Sequence, residues 1–414
     1  MGRATTDYDV IVVGARCAGS PTAMLLARRG YRVLLVDRMR FPSDMVSSHF
    51  ILAYGVARLI RWGLWQRLLD TGCPPVGRFT SDWGDIRLTG VPPPYRETAG
   101  VGICPRRYVL DQLLLTAAVE AGAEFEEAFG VTGLLRDDDG RVTGVLGRRE
   151  GGPETSITAW CVVGADGMRS LVAREVGAAE YQTLPSLTVT YLTYFADLPM
   201  DELLIHWRPG RCVPAIPTHD GLTVVLCGWP YDEWRTYRSD IEKHYFDTIT
   251  RHTSAEFAER VRAARRVERF RGTFQVPNFF RKPYGPGWAL VGDAGYHRDP
   301  VTAMGISDAF RDAEHLTTGL DEALSGRCPA DEALAEYERR RNEAAEPLFR
   351  HTVQMARYQP LDRLTTLVLR ALADNEEDRN RFFGVLAGSV SPEEFHSPHN
   401  VARILAKAGL MPGG

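Results

Sequence analysis

The chain predicts an α/β fold: a Rossmann-like sheet interrupted by an inserted antiparallel β-sheet and followed by a helical C-terminus. Three observations carry this. The apolar run Tyr8 to Val13 leads into the glycine turn Gly14-Ala15-Arg16-Cys17-Ala18-Gly19 and a helical pattern, Ser20 to Arg29, that Gly30 stops. Two further apolar runs, Ala159 to Val163 and Trp288 to Val291, end in Gly164-Ala165-Asp166-Gly167 and Gly292-Asp293-Ala294-Gly295. Between these runs, residues 186–195, 202–208 and 222–229 are alternating or β-branched and separated by Pro, Gly and Asp, the pattern of an antiparallel sheet.

Each element follows from its residues. The first turn opens a helix, so its glycines let backbone N–H groups approach a pyrophosphate at the positive helix end. The second strand, Tyr31 to Val36, is followed by Asp37, placed where a carboxylate accepts both hydroxyls of an adenosine ribose. Arg16 occupies the position of the fingerprint's central glycine, which sets the loop slightly further from the phosphates. Residues 38–49 read as a loop and Tyr54 to Leu69 as a helix ended by Pro74-Pro75. Strand-like segments and Pro92-Pro93-Pro94 mark residues 76–102 as part of the β-rich region. Arg107 to Leu114 is helical. Asp139-Gly140 between Val131 to Leu135 and Val142 to Leu146 makes a hairpin. Two helices and the strand-like Arg269 to Val276 complete the second region, and from Gly305 the chain is helical, Ala330 to Gln354 being the most periodic part.

Composition narrows the function. At 414 residues the chain exceeds one ordinary core, so two domains are expected. A formal net charge of −4 argues against a nucleic-acid partner, and the Arg-rich stretch Arg260 to Arg271 reads as a solvated helix face. Seven scattered cysteines form no Cys-x-x-Cys pair and no metal-ligand spacing, which implies no metal and a reducing compartment. No signal pattern precedes the first strand, and no apolar run reaches the ~20 residues of a membrane helix, so a cytoplasmic monomer or homodimer is expected. Lysine occurs only at positions 243, 282 and 407.

The three glycine-acid turns, in this order and spacing, resemble the signatures of the single-component FAD monooxygenases, the p-hydroxybenzoate hydroxylase fold superfamily. The likeness runs from about residue 7 to about residue 320. Geranylgeranyl reductases and flavin halogenases are relatives in that superfamily. The resemblance implies a discontinuous FAD-binding domain (1–75, 103–180 and 285–325), a substrate domain (76–102 and 181–284) and a helical C-terminal region (326–414). It implies FAD contacts from Gly14, Arg16, Gly19, Ser20, Asp37, Arg38, Arg107, Val131, Asp166, Gly167, Asp293, Pro300, Gly305 and Ile306. Arg107 matches the arginine that reaches a phosphate or ribityl oxygen, Val131 an adenine-pocket backbone, and Asp293 the acceptor of a ribityl hydroxyl. Pro300 to Ile306 resembles the loop across the flavin, before a helix aimed at the ring's N1 and C2 carbonyl. One extra residue before Pro300 leaves His297, Arg298 and Asp299 equally readable as a surface loop.

By the same resemblance, NADPH or NADH reduces the FAD by binding transiently, since the chain has no second Gly-x-Gly-x-x-Gly. O2 is then captured as a flavin C4a-hydroperoxide that hydroxylates or epoxidises an aromatic or apolar substrate. Tyr191, Tyr194, Trp207, Trp229, Phe274 and Phe279 are candidates for lining its pocket. No general base is identified. Halogenation is disfavoured, because the halogenases resembling this chain need a lysine in the N-terminal half and a Trp-x-Trp-x-Ile-Pro motif. The alternatives are a reductase of the geranylgeranyl reductase type, which saturates an isoprenoid double bond without O2, and a non-catalytic flavin-binding protein.

Overall fold

The computed structural model describes residues 6–410, so residues 1–5 and 411–414 of the expected terminal regions lie outside it. Strand Tyr8–Val13 sits inside a parallel sheet, which is why it is apolar at nearly every position. Its alternate residues face opposite ways. Val10 and Val12 pack with helices Gly19–Ala27, Arg107–Glu120 and Gly305–Leu324, whereas Ile11 and Val13 pack toward the hairpin Phe129–Arg136/Val142–Arg149.

The parallel strands run in the order Trp288–Leu290, Thr155–Gly164, Tyr8–Val13, Val33–Asp37, Glu124–Glu127. Tyr8–Val13 and Thr155–Gly164 are therefore neighbours on which the chain order reverses, and the switch point lies at their carboxyl ends. That is where open α/β sheets bind ligands.

A second sheet is built on Thr188–Ala196, Thr223–Pro230, Arg211–Pro217, Leu203–Arg208, Phe79–Asp82 and Arg87–Gly90, in that order. Helices Ile241–His252 and Ala255–Ala263 cover the face bearing Val189, Val225 and Trp229. The opposite face, with Leu192, Tyr194 and Ile205, is covered by the C-terminal helices through Leu369, Leu372 and Phe383.

Several features differ from the sequence expectation. The helix expected over residues 54–69 is two helices, Ala53–Arg61 and Trp65–Leu69, because Gly63 between them has φ +76°. Strand Arg211–Pro217 was not expected. The second sheet is not wholly antiparallel, since Leu203–Arg208 runs parallel to Phe79–Asp82. The Arg260 to Arg271 stretch is not one helix face: its helix ends at Ala263, and Arg271 lies in strand Arg271–Thr273 with its guanidinium 2.7 Å from Asp44.

Candidate cofactor and substrate site

The three glycine turns follow three adjacent strands, and their backbones touch. Val13 pairs with Gly164 and Gly164 with Leu290, so the chain leaves the sheet three times at one level. Ala165 N–H donates to Val13 O at 2.8 Å and Val291 N–H to Gly164 O at 2.9 Å. Gly14, at φ +105°, lies so close to the second turn that a Cβ would stand 2.5 Å from Ala165 O. A Cβ on Gly292 would stand 2.7 Å from Ala18 Cβ, bringing the third turn onto the first.

Around this cradle the acids are arranged differently from one another. Asp37 is buried and accepts from the N–H groups of Ala15 at 2.9 Å and Met39 at 2.8 Å, one on each oxygen, so each retains a lone pair for a further donor. Asp166 Oδ2 accepts from Leu171 and Val172 N–H at 2.7 and 3.2 Å, while its Oδ1 is buried without a partner, and burial raises its pKa. Ser20 Oγ is likewise buried and unpartnered. Asp293 is exposed. Orphaned acceptors and hydroxyls around a turn that admits no Cβ are what a polar, extended ligand would complete.

The basic residues separate. Arg107 is buried and holds Asp111 through Nε and Nη2, both at 3.0 Å, and Asp293 adds its charge to those that raise the Arg107 pKa against the cost of burial. Arg16 donates to Asp111 at 2.7 Å and to Ser43 Oγ at 2.8 Å, so its guanidinium is taken up by the neighbouring helix and loop. Asp111, which also accepts from Cys17 Sγ at 3.2 Å, is the hub that the sequence reading missed. No motif marks it. Arg38 is exposed, Val131 is half-buried opposite Gly147, and Gly167 has φ +80° with open space beside it.

The 297–299 segment is not a surface loop. His297, Arg298 and Asp299 are all buried. Asp299 caps the turn Pro300–Thr302 by accepting from Val301 N–H at 3.1 Å, and also accepts from Thr188 Oγ1 at 2.8 Å, tying the loop to the second sheet. Ala303 at φ +52° then turns the chain into helix Gly305–Leu324, where Gly305 is exposed at the first turn and Ile306 is buried.

Burial pushes the Asp299 carboxyl up to about 6. A raised folded-state value means that this group's stabilisation is full below the unfolded carboxyl's pKa and is lost as pH rises through the folded one. Stability of the wild type is therefore expected to fall between about pH 4 and 6, by roughly 3 kcal/mol at most, relative to Asp299→Asn. Denaturant titrations of both proteins across that range read this, and parallel curves would refute it.

The six aromatic candidates do not converge. Trp229, whose Nε1 donates to Thr248 at 2.9 Å, Tyr191 and Phe274 belong to the core under the Ile241–His252 and Ala255–Ala263 helices. Phe279 lies in strand Asn278–Arg281 beneath the Arg281 guanidinium. Tyr194 and Trp207 pack in the other core, and Tyr194 shares it with Phe50, Cys104 and Met304, the residue preceding Gly305. The cause is parity: Tyr191 and Tyr194 are an odd number of residues apart on one strand and face opposite ways.

Glycine turns closing on one another at the carboxyl ends of a reversing parallel sheet define a nucleotide-cofactor-binding α/β protein. The chain belongs to the FAD binding domain family, whose model matches residues 7–352, and it is an FAD-dependent oxidoreductase by that membership. It is 26% identical over 348 residues to the digeranylgeranylglycerophospholipid reductase of Methanocella arvoryzae, covering 82% of this chain and 84% of that one. It is 24% identical over 403 residues to the FAD-dependent monooxygenase janM of Penicillium janthinellum, covering 88% and 80%. The solved structure of the myxobacterial chondrochloren halogenase CndH superposes with a TM-score of 0.77 at 23% identity, covering 98% of each chain, a likeness of fold. No helix among the described residues is long and apolar enough to cross a membrane.

Proposed function

We propose that this protein is an FAD-dependent monooxygenase that uses NADPH or NADH and O2 to hydroxylate or epoxidise an aromatic or polycyclic small molecule. The observation that supports this best is the polar wall at Tyr194: the Arg106 guanidinium lies 3.9 Å over the Tyr194 ring, with Arg271, Asp44 and Glu268 around it. Such a wall suits an oxygen-bearing, electron-rich molecule better than a bare hydrocarbon tail. FAD, when bound, supplies hydride acceptance and oxygen activation.

This chain's residues then bind, orient and exclude water. Gly14, Gly19 and Ser20 hold the pyrophosphate at the helix end, braced from the second turn by Asp166 and Gly167, and Asp37 takes the ribose hydroxyls with Arg38 nearby. Val131 offers backbone to the adenine. Arg107 and Asp293 take phosphate and ribityl oxygens. Pro300, Gly305 and Ile306 would hold the ring, where the dipole of helix Gly305–Leu324 would favour negative charge. Phe50, Leu52 and Met304, buried members of one apolar core, would keep water from the reacting face.

A second reading, reduction of an isoprenoid double bond without O2, is favoured by the likeness to the digeranylgeranylglycerophospholipid reductase. NADH and NADPH oxidation followed under air and under nitrogen with phenols, quinones and isoprenoids separates the two. Substrate-stimulated O2 consumption is expected; substrate reduction under nitrogen selects the reductase. Asp293→Ala is expected to lower FAD retention at least tenfold while leaving the apoprotein's melting temperature unchanged, because Asp293 is exposed. Flavin-to-protein absorbance ratios after gel filtration measure this, and full retention would remove Asp293 from the site.

A further inference from the structure

His49 is nearly fully buried, at 1% exposure, in a left-handed backbone conformation of φ +59°, a state that costs a non-glycine residue ~1 kcal/mol or more and persists where surroundings impose it. Its Nε2 is hydrogen-bonded to the Tyr194 hydroxyl, and its Nδ1 is buried with no partner. The Tyr194 hydroxyl has no other acceptor among the described bonds, so donation from Tyr194 to Nε2 leaves one orphan, the Nδ1–H. The opposite arrangement would leave two, the tyrosine proton and the Nδ1 lone pair, and is disfavoured by the cost of each.

The surroundings favour a neutral imidazole. Burial, and then the guanidinium groups of Arg107, Arg106 and Arg271 and the ring of His219, hold the His49 pKa well below its usual value. Burial keeps the Tyr194 hydroxyl protonated by raising its pKa. Arg106 and Arg271 are themselves balanced by Glu268 and Asp44, at 2.5 Å from Arg106 to Glu268 and 2.7 Å from Arg271 to Asp44. An acceptor arriving at Nδ1 thus meets an N–H of fixed orientation that lacks a partner.

The place is also right. Tyr194 belongs to the same apolar core as Phe50 and Met304, and Leu52 N–H donates to Ser307 Oγ at 3.0 Å in the first turn of helix Gly305–Leu324. Arg107, which bears on His49, bears also on Asp293. The segment carrying His49 has no helix or strand from Arg38 to Phe50 and is placed by side-chain bonds, Arg16 to Ser43 and Arg271 to Asp44 among them.

We propose that His49, oriented by Tyr194, is the substrate-recognition residue of this protein: its Nδ1–H donates to an acceptor oxygen, a phenolate or conjugated carbonyl, of the molecule to be oxidised. This rests on the monooxygenase reading and gives it a substrate class. Tyr194 is a positioning residue that sets the tautomer. The group is missed in sequence because its two halves stand 145 residues apart.

The test uses the FAD-loaded protein with 4-nitrophenol and 4-nitroanisole as probes, alike except for the masked oxygen. Nitrogen-15 NMR of the protein labelled at its 10 histidines, with His49→Gln identifying the signal, is expected to show neutral His49 protonated at Nδ1, and Tyr194→Phe to disturb that tautomer. Flavin absorbance titrations are expected to show 4-nitrophenol binding about tenfold or more tighter than 4-nitroanisole. That preference should vanish in His49→Leu and persist in His49→Gln, whose amide keeps a donor. An Nε2-protonated or charged His49, or equal affinity for the two probes including none for either, overturns the proposal. These readouts need no turnover, so they fail separately from the monooxygenase reading, which stands or falls on O2 consumption.

Discussion

Gly19→Ala is expected to yield no folded, yellow protein. The new Cβ would lie 1.7 Å from the backbone oxygen of Gly14 and 3.1 Å from Ala165 Cβ. The first contact is with main chain at the end of a central strand, so no side-chain rotation relieves it. Relief requires the turn to open, which pulls Gly14 out of register with Val36, whose carbonyl accepts its N–H at 2.8 Å, and away from the second turn. Overpacking of this severity costs more than the ~1–3 kcal/mol of an added methylene in an ordinary core. Gly305→Ala is the matched control: outside its own helix turn no atom would lie within 4 Å of the added Cβ, so the fold is expected to survive. If Gly305→Ala folds normally but retains less FAD, the open space there is cofactor space. Soluble expression, circular dichroism and the flavin spectrum read both variants, and a yellow Gly19→Ala protein of native stability would disprove the backbone convergence.

Asp308→Asn is expected to be the most destabilising charge change. Asp308 is buried and accepts from Arg298 at 2.5 Å, Arg311 at 2.9 Å and the Tyr54 hydroxyl at 2.9 Å, joining helix Gly305–Leu324 to helix Ala53–Arg61 and to the 297–299 segment. Arg298 has no other acidic partner among the described ion pairs, and its Nε and Nη1 are already unpartnered, so neutralising Asp308 strands a buried cation. Breaking a buried pair from one side costs about 3–5 kcal/mol. Arg339→Ala, which breaks the exposed pairs to Glu336 and Glu343, is expected to cost no more than ~1 kcal/mol. Denaturant unfolding compares them; equal losses would mean that the Asp308 network is wet and weak.

Strands on the interior of the parallel sheet were legible because burial on both faces leaves an uninterrupted apolar run, as in Tyr8–Val13. The edge strand Glu124–Glu127 was not, since three of its four residues are glutamate and only its pairing with Val33–Asp37 makes it a strand. Arg211–Pro217 was hidden by Pro214 and Pro217, which ordinarily demote a strand. Of the candidate site, the glycine turns and Asp37 could be read from local pattern. Asp111, His49 and the burial of residues 297–299 could not, because their partners are distant in sequence and of common types.

Local pattern alone thus determined that three apolar runs end in glycine turns, that the chain is α/β, and which family it resembles. Only the tertiary structure decided that those turns meet, since strand order, a property of long-range pairing, places residues 13, 164 and 290 side by side. It likewise divided the aromatic candidates between two faces and set a buried histidine against Tyr194. Side-chain direction on a strand follows parity, but which face meets which core depends on what packs against it.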